Sequence, residues 1–513
     1  MGKIKSAIIT AILVAAIVVL AFFATVSFPM AGSGKVKKYN SFITSISLGG
    51  DLTGEAVAVL YPKGVISAAD YKAGIPDVPE DETADGYGEA KDKYEEYIGK
   101  YKQFGNVYVE SEILLDDADG KALMANVKHD AEILSNRLGE KGYSTYSVSV
   151  RDGLALIVSI PTNYTFAEYS DPDYHSSERS DKQTLISNTV KYMAYGGELS
   201  LRNTEIVPNG DHTLTSPTAD VNSYFKSFEK FSRGGSYAVK VDLTKEGRKQ
   251  FETISTKVSG ASSEKSVGFY VGDNQLISLG LEETISQDSF LINVNSEEDA
   301  INWATVLDSC INGQTLVYDY GTANDVDIVY TSAALGDNAA IYLFCTMLAI
   351  VVAAIVYSAV RYKMLGFVNA IVIVMYALTI ITALMLIDIQ LTVTGAVFAV
   401  AGLALLCGAN FVLFEKVRQE TQKGKTISAA IKSAYKSLLK GILELHIVLV
   451  AVSLIMALVC VGEIAACAFI FFIASVASYI LYWFTRFMWF VVSSTVRDKF
   501  AFCGFKREEL EDD

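Results

Sequence analysis

A chain of 513 residues has room for three or four ordinary soluble domains, yet this one is 51% hydrophobic and only 20% charged, with a mean hydropathy of +0.30. Long apolar runs at 7–28 and in five further stretches after residue 338 exclude a purely soluble protein. Residues 29–338 hold 27 Lys+Arg against 47 Asp+Glu, a net of −20 in a chain whose total is −15. Such an acidic block neither offers a surface for nucleic acid nor is drawn to anionic head groups.

The first run, 7–28, follows Lys3 and Lys5 and fits either a cleaved signal peptide, with Ala31-Gly32-Ser33 as a cleavage site, or a membrane helix. Its length of about 22 apolar residues favours the helix. Residues 46–64 (ISLGGDLTGEAVAVLYPKG) then read as strand, Gly-rich turn and strand. The segment 66–104, rich in Asp, Glu, Lys and Tyr, reads as an inserted acidic loop leading to a partly helical stretch, solvated more than functional. From Lys121 the apolar spacing turns helical through Leu123, Val127, Ile133, Leu134 and Leu138, with Gly139 and Gly142 at its end and strands at 143–150 and 154–160. A second set follows: helix near 183–194, strand 197–202, strand 236–243, helix from Thr244 to about Val258, strands 267–272 and 275–281, and a helix near 297–311. The pattern predicts two packed α+β modules, the second inserted in or following the first.

Five apolar runs, at about 339–360, 364–387, 390–413, 442–462 and 464–484, complete six expected transmembrane helices, one plus five. The join Arg361-Tyr362-Lys363 and the loop 415–440, with seven Lys or Arg, face the cytoplasm by the positive-inside rule. Both termini are then cytoplasmic and the acidic block is outside. The expected layout is an N-terminus at 1–6, a first span at 7–28, an outer domain at 29–338, a five-helix membrane domain at 339–494 and a tail at 495–513. Trp483, Phe484, Arg486, Trp489 and Phe490 suit the head-group level at the end of the last span, with no chemistry assigned.

Several signals carry no function. Gly32-Ser33-Gly34-Lys35 lacks the first Gly of a phosphate loop and has Val36 in place of Ser/Thr, so it reads as linker. The six cysteines form no CxxC pair, and Cys310 alone lies in the acidic block. His129, His175 and His212 are not at metal-ligand spacing, and no nucleophile with a nearby base can be named, so neither an enzyme nor a metal or cofactor is expected.

Within the membrane, Gly395, Ala399, Gly402 and Ala409 are small residues suited to close helix packing, and Asn410 is an amide in an apolar run, a type that faces a bundle interior or a water path. Glu444 and His446 fall in the first turn or so of the next span, where they either relay protons or sit in the head-group layer; Glu463 lies at its other end.

The stretch GANFVLFEKVRQE (408–420) closely resembles the VDANVLIFERIREE motif of the SecD family of export-machinery membrane subunits. LGGDLTGE (48–55) resembles the family's LGLDLRGG, with Gly49, Asp51 and Gly54 among the matches. DAEILSNRLGEKGY with LIVSIP (130–143 and 156–161), including Arg137, resembles its helix and Val-rich strand. YAVKVDLTKEGRKQFETIST (237–256) resembles its head-domain strand and helix, with Asn295–Cys310 in the place of its closing helix. Glu415 and Arg418 fall within the first motif. The resemblance implies a polytopic α-helical membrane protein with a large extracytoplasmic α+β domain of ferredoxin-like type, a base at about 40–162 and 290–335, and an inserted head at about 165–288. It implies a subunit that, with SecF and the SecYEG channel, assists late translocation and release of unfolded exported proteins at a bacterial plasma membrane, coupled to the proton motive force.

Departures qualify that coupling. Gly408 stands where the family has a proton-carrying Asp, and Glu444, His446, Val448 and Leu449 replace its Asp-x-Asn and two Thr. Asn312-Gly313-Gln314 lacks an LPxP-like turn. Either Glu444 and His446 take over part of a proton path, or the subunit is passive and its partner carries the coupling residues. Two other classes share the architecture: half of a resistance-nodulation-division transporter moving lipid or amphiphile, and a non-energised membrane chaperone or scaffold.

Overall fold

The computed structural model describes residues 3–493 except 31–36, 81–85, 116, 118, 163, 170–177, 217–218, 322–326 and 337. The Gly32–Lys35 stretch, His175 and the tail 495–513 lie outside the described residues. In chain order the helices are α1 (Lys3–Thr25), α2 (Gly50–Thr53), α3 (Ala68–Ala73), α4 (Tyr87–Lys100), α5 (Lys121–Lys141), α6 (Phe166–Tyr169), α7 (Glu178–Met193), α8 (Lys245–Ser259), α9 (Glu297–Ile311), α10 (Ala339–Ile387), α11 (Val393–Gln422), α12 (Ile427–Val459) and α13 (Gly462–Ser493). They fall into two compact units: Ala56–Ile160 with Ser180–Tyr330, and Met1–Glu55 with Pro161–Arg179 and Thr331–Asp513.

The sheet-rich unit is built on a hairpin, Ser147–Arg151 against Ala155–Pro161, in register Ser147↔Ser159. Its turn uses Asp152 and Gly153 at φ 52° and 77°, the positive-φ pair that matches the right-handed twist of the flanking strands. Beside it α5 buries Leu123, Val127, Ile133, Leu134 and Leu138 at helical spacing and ends at Gly142, whose φ of 108° turns the chain back so that the Tyr143 N–H donates to the Leu138 carbonyl at 3.2 Å. Two three-stranded antiparallel sheets follow. One orders Phe225–Arg233, Ser236–Leu243 and Ser289–Val294; the other orders Asn274–Gly280, Ser266–Val271 and Leu199–Arg202. Phe225, Phe228, Phe251 and Phe269 pack between them with α8. The strands at 225–233 and 289–294 escape sequence reading because Phe225, Phe228 and Phe231 recur every third residue, not every second, and Phe290–Ile292 is only a short apolar run.

Residues 66–104 hold the expected helical stretch, α4, with no buried residue, but the ends of the segment are more ordered than a loop: Val65–Ser67, Val107–Glu110 and Tyr101–Phe104 form a small sheet, and Tyr71 stacks on Tyr108 with ring centroids 3.6 Å apart. Tyr71 is buried there, with Tyr97 and Tyr101 half-buried beside it, since a phenol ring buries a large apolar area while its hydroxyl stays polar.

Among the described residues of the second unit five helices are long and apolar enough to cross a membrane, where six crossings were expected. The difference lies in α10. As one straight rod its 49 residues would run about 74 Å, far beyond a bilayer. Lys363, at φ 49° and ψ −116°, breaks the helical backbone. Beyond it Asn369 Nδ2 donates to Ser358 Oγ at 2.9 Å, whereas eleven residues of continuous helix would separate them by about 16 Å. The chain therefore reverses at Lys363, and Gly366 permits the approach: a Cβ there would lie 1.8 Å from the Ser358 carbonyl oxygen.

Two more expectations change. The loop 415–440 is helical apart from Lys423–Thr426, because α11 and α12 run on into it. Trp489, expected at the head-group level, is fully buried against Phe414 and Tyr435, whereas Trp483, Phe484 and Phe490 are half-buried, with Arg486 over the rings of Tyr435, Trp483 and Phe490. Rings and guanidinium find one another here because α12 brings Tyr435 alongside α13.

Candidate latch and polar network of the membrane unit

The LGGDLTGE segment is not the first half of a hairpin. It runs as isolated bridges, Ser47↔Thr165 and Leu48↔Leu391, into the single turn α2. Gly49 donates its N–H to the Leu391 carbonyl at 2.9 Å and accepts from Thr53 N at 3.1 Å. A Cβ on Gly49 would meet Thr392 Cγ2 at 2.6 Å, which is why that contact needs glycine. Gly54 sits at φ 95° with the Thr331 carbonyl 2.2 Å from where its Cβ would be, so it satisfies both a left-handed turn and a close approach. Ser47 closes the other side, its hydroxyl donating to Asp388 Oδ1 at 2.7 Å.

Asp51 completes the latch. Its Oδ2 accepts from Val393 N at 2.7 Å, on the first turn of α11, where Thr392 Oγ1 accepts from Gly395 N at 3.0 Å. A hydroxyl and a carboxylate thus take two of the orphan N–H groups that every helix start presents. Asp51 Oδ1 is buried with no partner among the described residues. Burial holds the carboxyl above its ordinary range, the Val393 hydrogen bond works against this, and the Glu463 charge adds to it.

Deeper in the bundle Asn410 Nδ2 donates to Asn369 Oδ1 at 2.8 Å, and Asn369 passes the chain to Ser358, whose hydroxyl donates to the Ala354 carbonyl. All three side chains are buried, and Asn410 Oδ1 has no partner among the described residues. Such amide contacts join membrane helices with about 0.6–2 kcal/mol each. Neither amides nor a hydroxyl change charge at working pH. Sequence reading found Asn410; Asn369 lies in the apolar run 364–387 and carries the same signal.

The remaining residues are not gathered there. Gly408 is on the exposed side of α11, with open space where a Cβ would stand. Glu444 is exposed, 3.7 Å from Lys440 one turn earlier on α12. His446 is buried, with Nδ1 at 2.8 Å from the Ile442 carbonyl and Nε2 at 3.2 Å from Ser478 Oγ. Glu415 pairs with both Arg361 and Arg418 at 3.5 Å, tying the reversal of α10 to α11.

Arg137 belongs to the sheet-rich unit, where it is fully buried. It donates to Ser309 Oγ at 2.7 Å and to the carbonyls of Met193, Tyr195 and Gln314 at 2.8, 2.9 and 3.2 Å. Burial draws its proton affinity down while these acceptors replace the lost water. Nearby Asp130 accepts from the N–H groups of Val317 and Tyr318 and from the Tyr320 hydroxyl. The pair is a fold-closing device that ties α5 to the segment after α9.

Comparison with known proteins gives the following. No family model matches the chain. It is 24% identical over 220 residues to the protein translocase subunit SecD of Synechocystis sp., covering 42% of this chain and 45% of that one. It is 28% identical over 134 residues to the SecD subunit of Aquifex aeolicus, covering 26% of each. A crystal structure of SecDF in a super-membrane-facing form aligns with a TM-score of 0.51 at 16% identity, covering 96% of this chain and 59% of that one. The matches thus span less than half of the two relatives' own lengths, and the structural likeness is one of fold.

Proposed function

We propose, from the premise that this chain is a SecD/SecF-family protein, that it serves protein translocation as an auxiliary subunit, acting with a SecF partner on a SecYEG-type channel and on unfolded polypeptides outside it. The proposed setting is a bacterial plasma membrane, with the reversal at Lys363 counted as two crossings. Both termini and the Lys/Arg-rich ends of α11 and α12 are then cytoplasmic, the base and head of the sheet-rich region outside.

The observation that most supports a mechanical role is the latch. Gly49 and Asp51 fasten the chain to the start of α11, Gly54 packs against the Thr331 carbonyl, and the chain continues directly from Glu55 into the strand Glu55–Leu60. A displacement of α11 along its axis would pull on that strand through a single turn of backbone. The same helix carries Asn410, so a change in the amide chain and a pull on the outer strand are linked through one rigid element.

The passive form of this subunit is favoured over a proton-conducting one. Gly408 bears no ionisable group, Glu444 points away from the bundle beside Lys440, and the Asn410–Asn369–Ser358 chain cannot titrate. His446, though buried, has the Ile442 carbonyl and the Ser478 hydroxyl as its described hydrogen-bond partners, neither of them a carboxylate. Coupling to the proton motive force then resides in the partner. Mass spectrometry of what co-purifies with the full chain from its own membranes in mild detergent tests the assignment. SecF and SecY subunits are the expected partners, and recovery of a different envelope complex in their place would overturn it.

A further inference from the structure

α12 is one unbroken helix of 33 residues, about 50 Å long, where the hydrocarbon of a bilayer takes about 30 Å. Its apolar run begins at Ile442, so roughly its first four turns stand beyond the hydrocarbon. Those turns are held on one side: Ile427, Ala430, Ile431, Ala434 and Tyr435 are buried, and the Tyr435 hydroxyl donates to the Tyr482 carbonyl at 3.0 Å. The opposite side carries Lys432, Lys436 and Lys440, all exposed. Their spacing of four residues sets them about 6 Å apart along the axis, within an arc of about 80°. The same face continues into the apolar run through Ile447, Leu454 and Leu458, each exposed on the outside of the bundle. The lysines therefore stand directly above the helix face that lipid tails cover.

The charge of this ladder is in excess. Lys432 and Lys436 have no ion-pair partner among the described residues. Glu444, the one carboxylate of α12, lies 3.7 Å from Lys440 and leaves two ammonium groups unbalanced. Lys423 and Lys425, in the turn before α12, are instead both paired with Glu420. Lys440 is two residues from the apolar run and Lys436 six, about 3 and 9 Å, which brackets a head-group layer about 5–8 Å deep. Ammonium groups at that depth attract anionic lipid. A nucleic acid or an acidic protein outside the layer would meet the ladder only through its outermost member, Lys432.

We infer that this ladder is a binding site for the head group of an anionic phospholipid: the phosphate lies between Lys436 and Lys440 with Lys432 above it, and the acyl chains lie along Ile447 and Leu454. The inference needs α12 to span a membrane and does not need the translocation reading.

The test uses the full chain, delipidated in dodecyl maltoside, with phosphatidylglycerol and phosphatidylcholine of identical acyl chains in competition and native mass spectrometry as the readout. Phosphatidylglycerol should be retained in preference. That preference should fall about fivefold in Lys436→Gln and again in Lys440→Gln, the equivalent of about 1 kcal/mol per lysine. It should survive when both lysines become Arg. Lys423→Gln with Lys425→Gln makes the same change in net charge as the Lys436→Gln, Lys440→Gln pair but lies outside the ladder, and should keep the wild-type preference. Equal retention of the two lipids by wild type would overturn the inference and leave the ladder to an acidic protein. Equal loss in the two double variants would overturn it as well, since that marks a diffuse attraction by the whole basic end.

Discussion

Asp51 shows how one side chain can be both a helix cap and a pH-dependent term. Burial raises its carboxyl above the ordinary 3.8, so the folded protein holds this proton to a higher pH than the unfolded chain does. Its contribution to stability is therefore fully present below the unfolded value and is lost as pH rises through the folded one. Asp51→Asn keeps an oxygen for Val393 N–H and removes the titration; Asp51→Ala also removes the cap, at about 0.5–2 kcal/mol. In thermal unfolding scans of the full chain, wild type should lose stability relative to Asp51→Asn as pH is raised from about 4. Curves that stay parallel would contradict the buried latch. Sequence reading marked Asp51 through its motif but could not reveal its partner, because Val393 is 342 residues away.

At the scale of elements, the reversal inside α10 decides the bundle's layout. Hydropathy located two apolar runs separated by Arg361-Tyr362-Lys363, and the backbone turns at Lys363. Nothing in that tripeptide tells how tightly the two halves pack; Gly366 and the Ser358–Asn369 hydrogen bond do. Gly366→Ala should force the halves apart and destabilise the chain by about 1–3 kcal/mol, the usual cost of overpacking. Gly408→Ala, on an open face, should be neutral or slightly stabilising by the ordinary helix preference for Ala. Equal melting temperatures for Gly366→Ala and Gly408→Ala would show that the hairpin is loose. Positive charge located one end of α11 and α12 in the sequence, but helix continuity through 427–440 was hidden, since Lys-rich amphipathic turns and loops share a composition.

At the scale of the molecule, the Asn410–Asn369–Ser358 chain inside the bundle holds no titratable group, and on the reading proposed above energy coupling belongs to the partner. Export measured in membrane vesicles should respond to collapse of the proton gradient equally in wild type and Glu444→Gln, because Glu444 is solvated beside Lys440. Loss of the gradient response in Glu444→Gln alone would restore the proton-path reading.

Local spacing and composition are enough to read the division into an acidic α+β block and apolar helices, the helix of 121–141 and its hairpin, and the motif residues Gly49, Asp51, Gly54, Arg137 and Asn410. What those residues do depends on partners distant in the chain. Arg137 closes the sheet-rich unit, Asn410 meets Asn369, and Asp51 caps α11. These pairings join residues far apart in the chain, and hydrogen bonds, burial and uncompensated charge are properties of the folded neighbourhood that no local window of sequence contains.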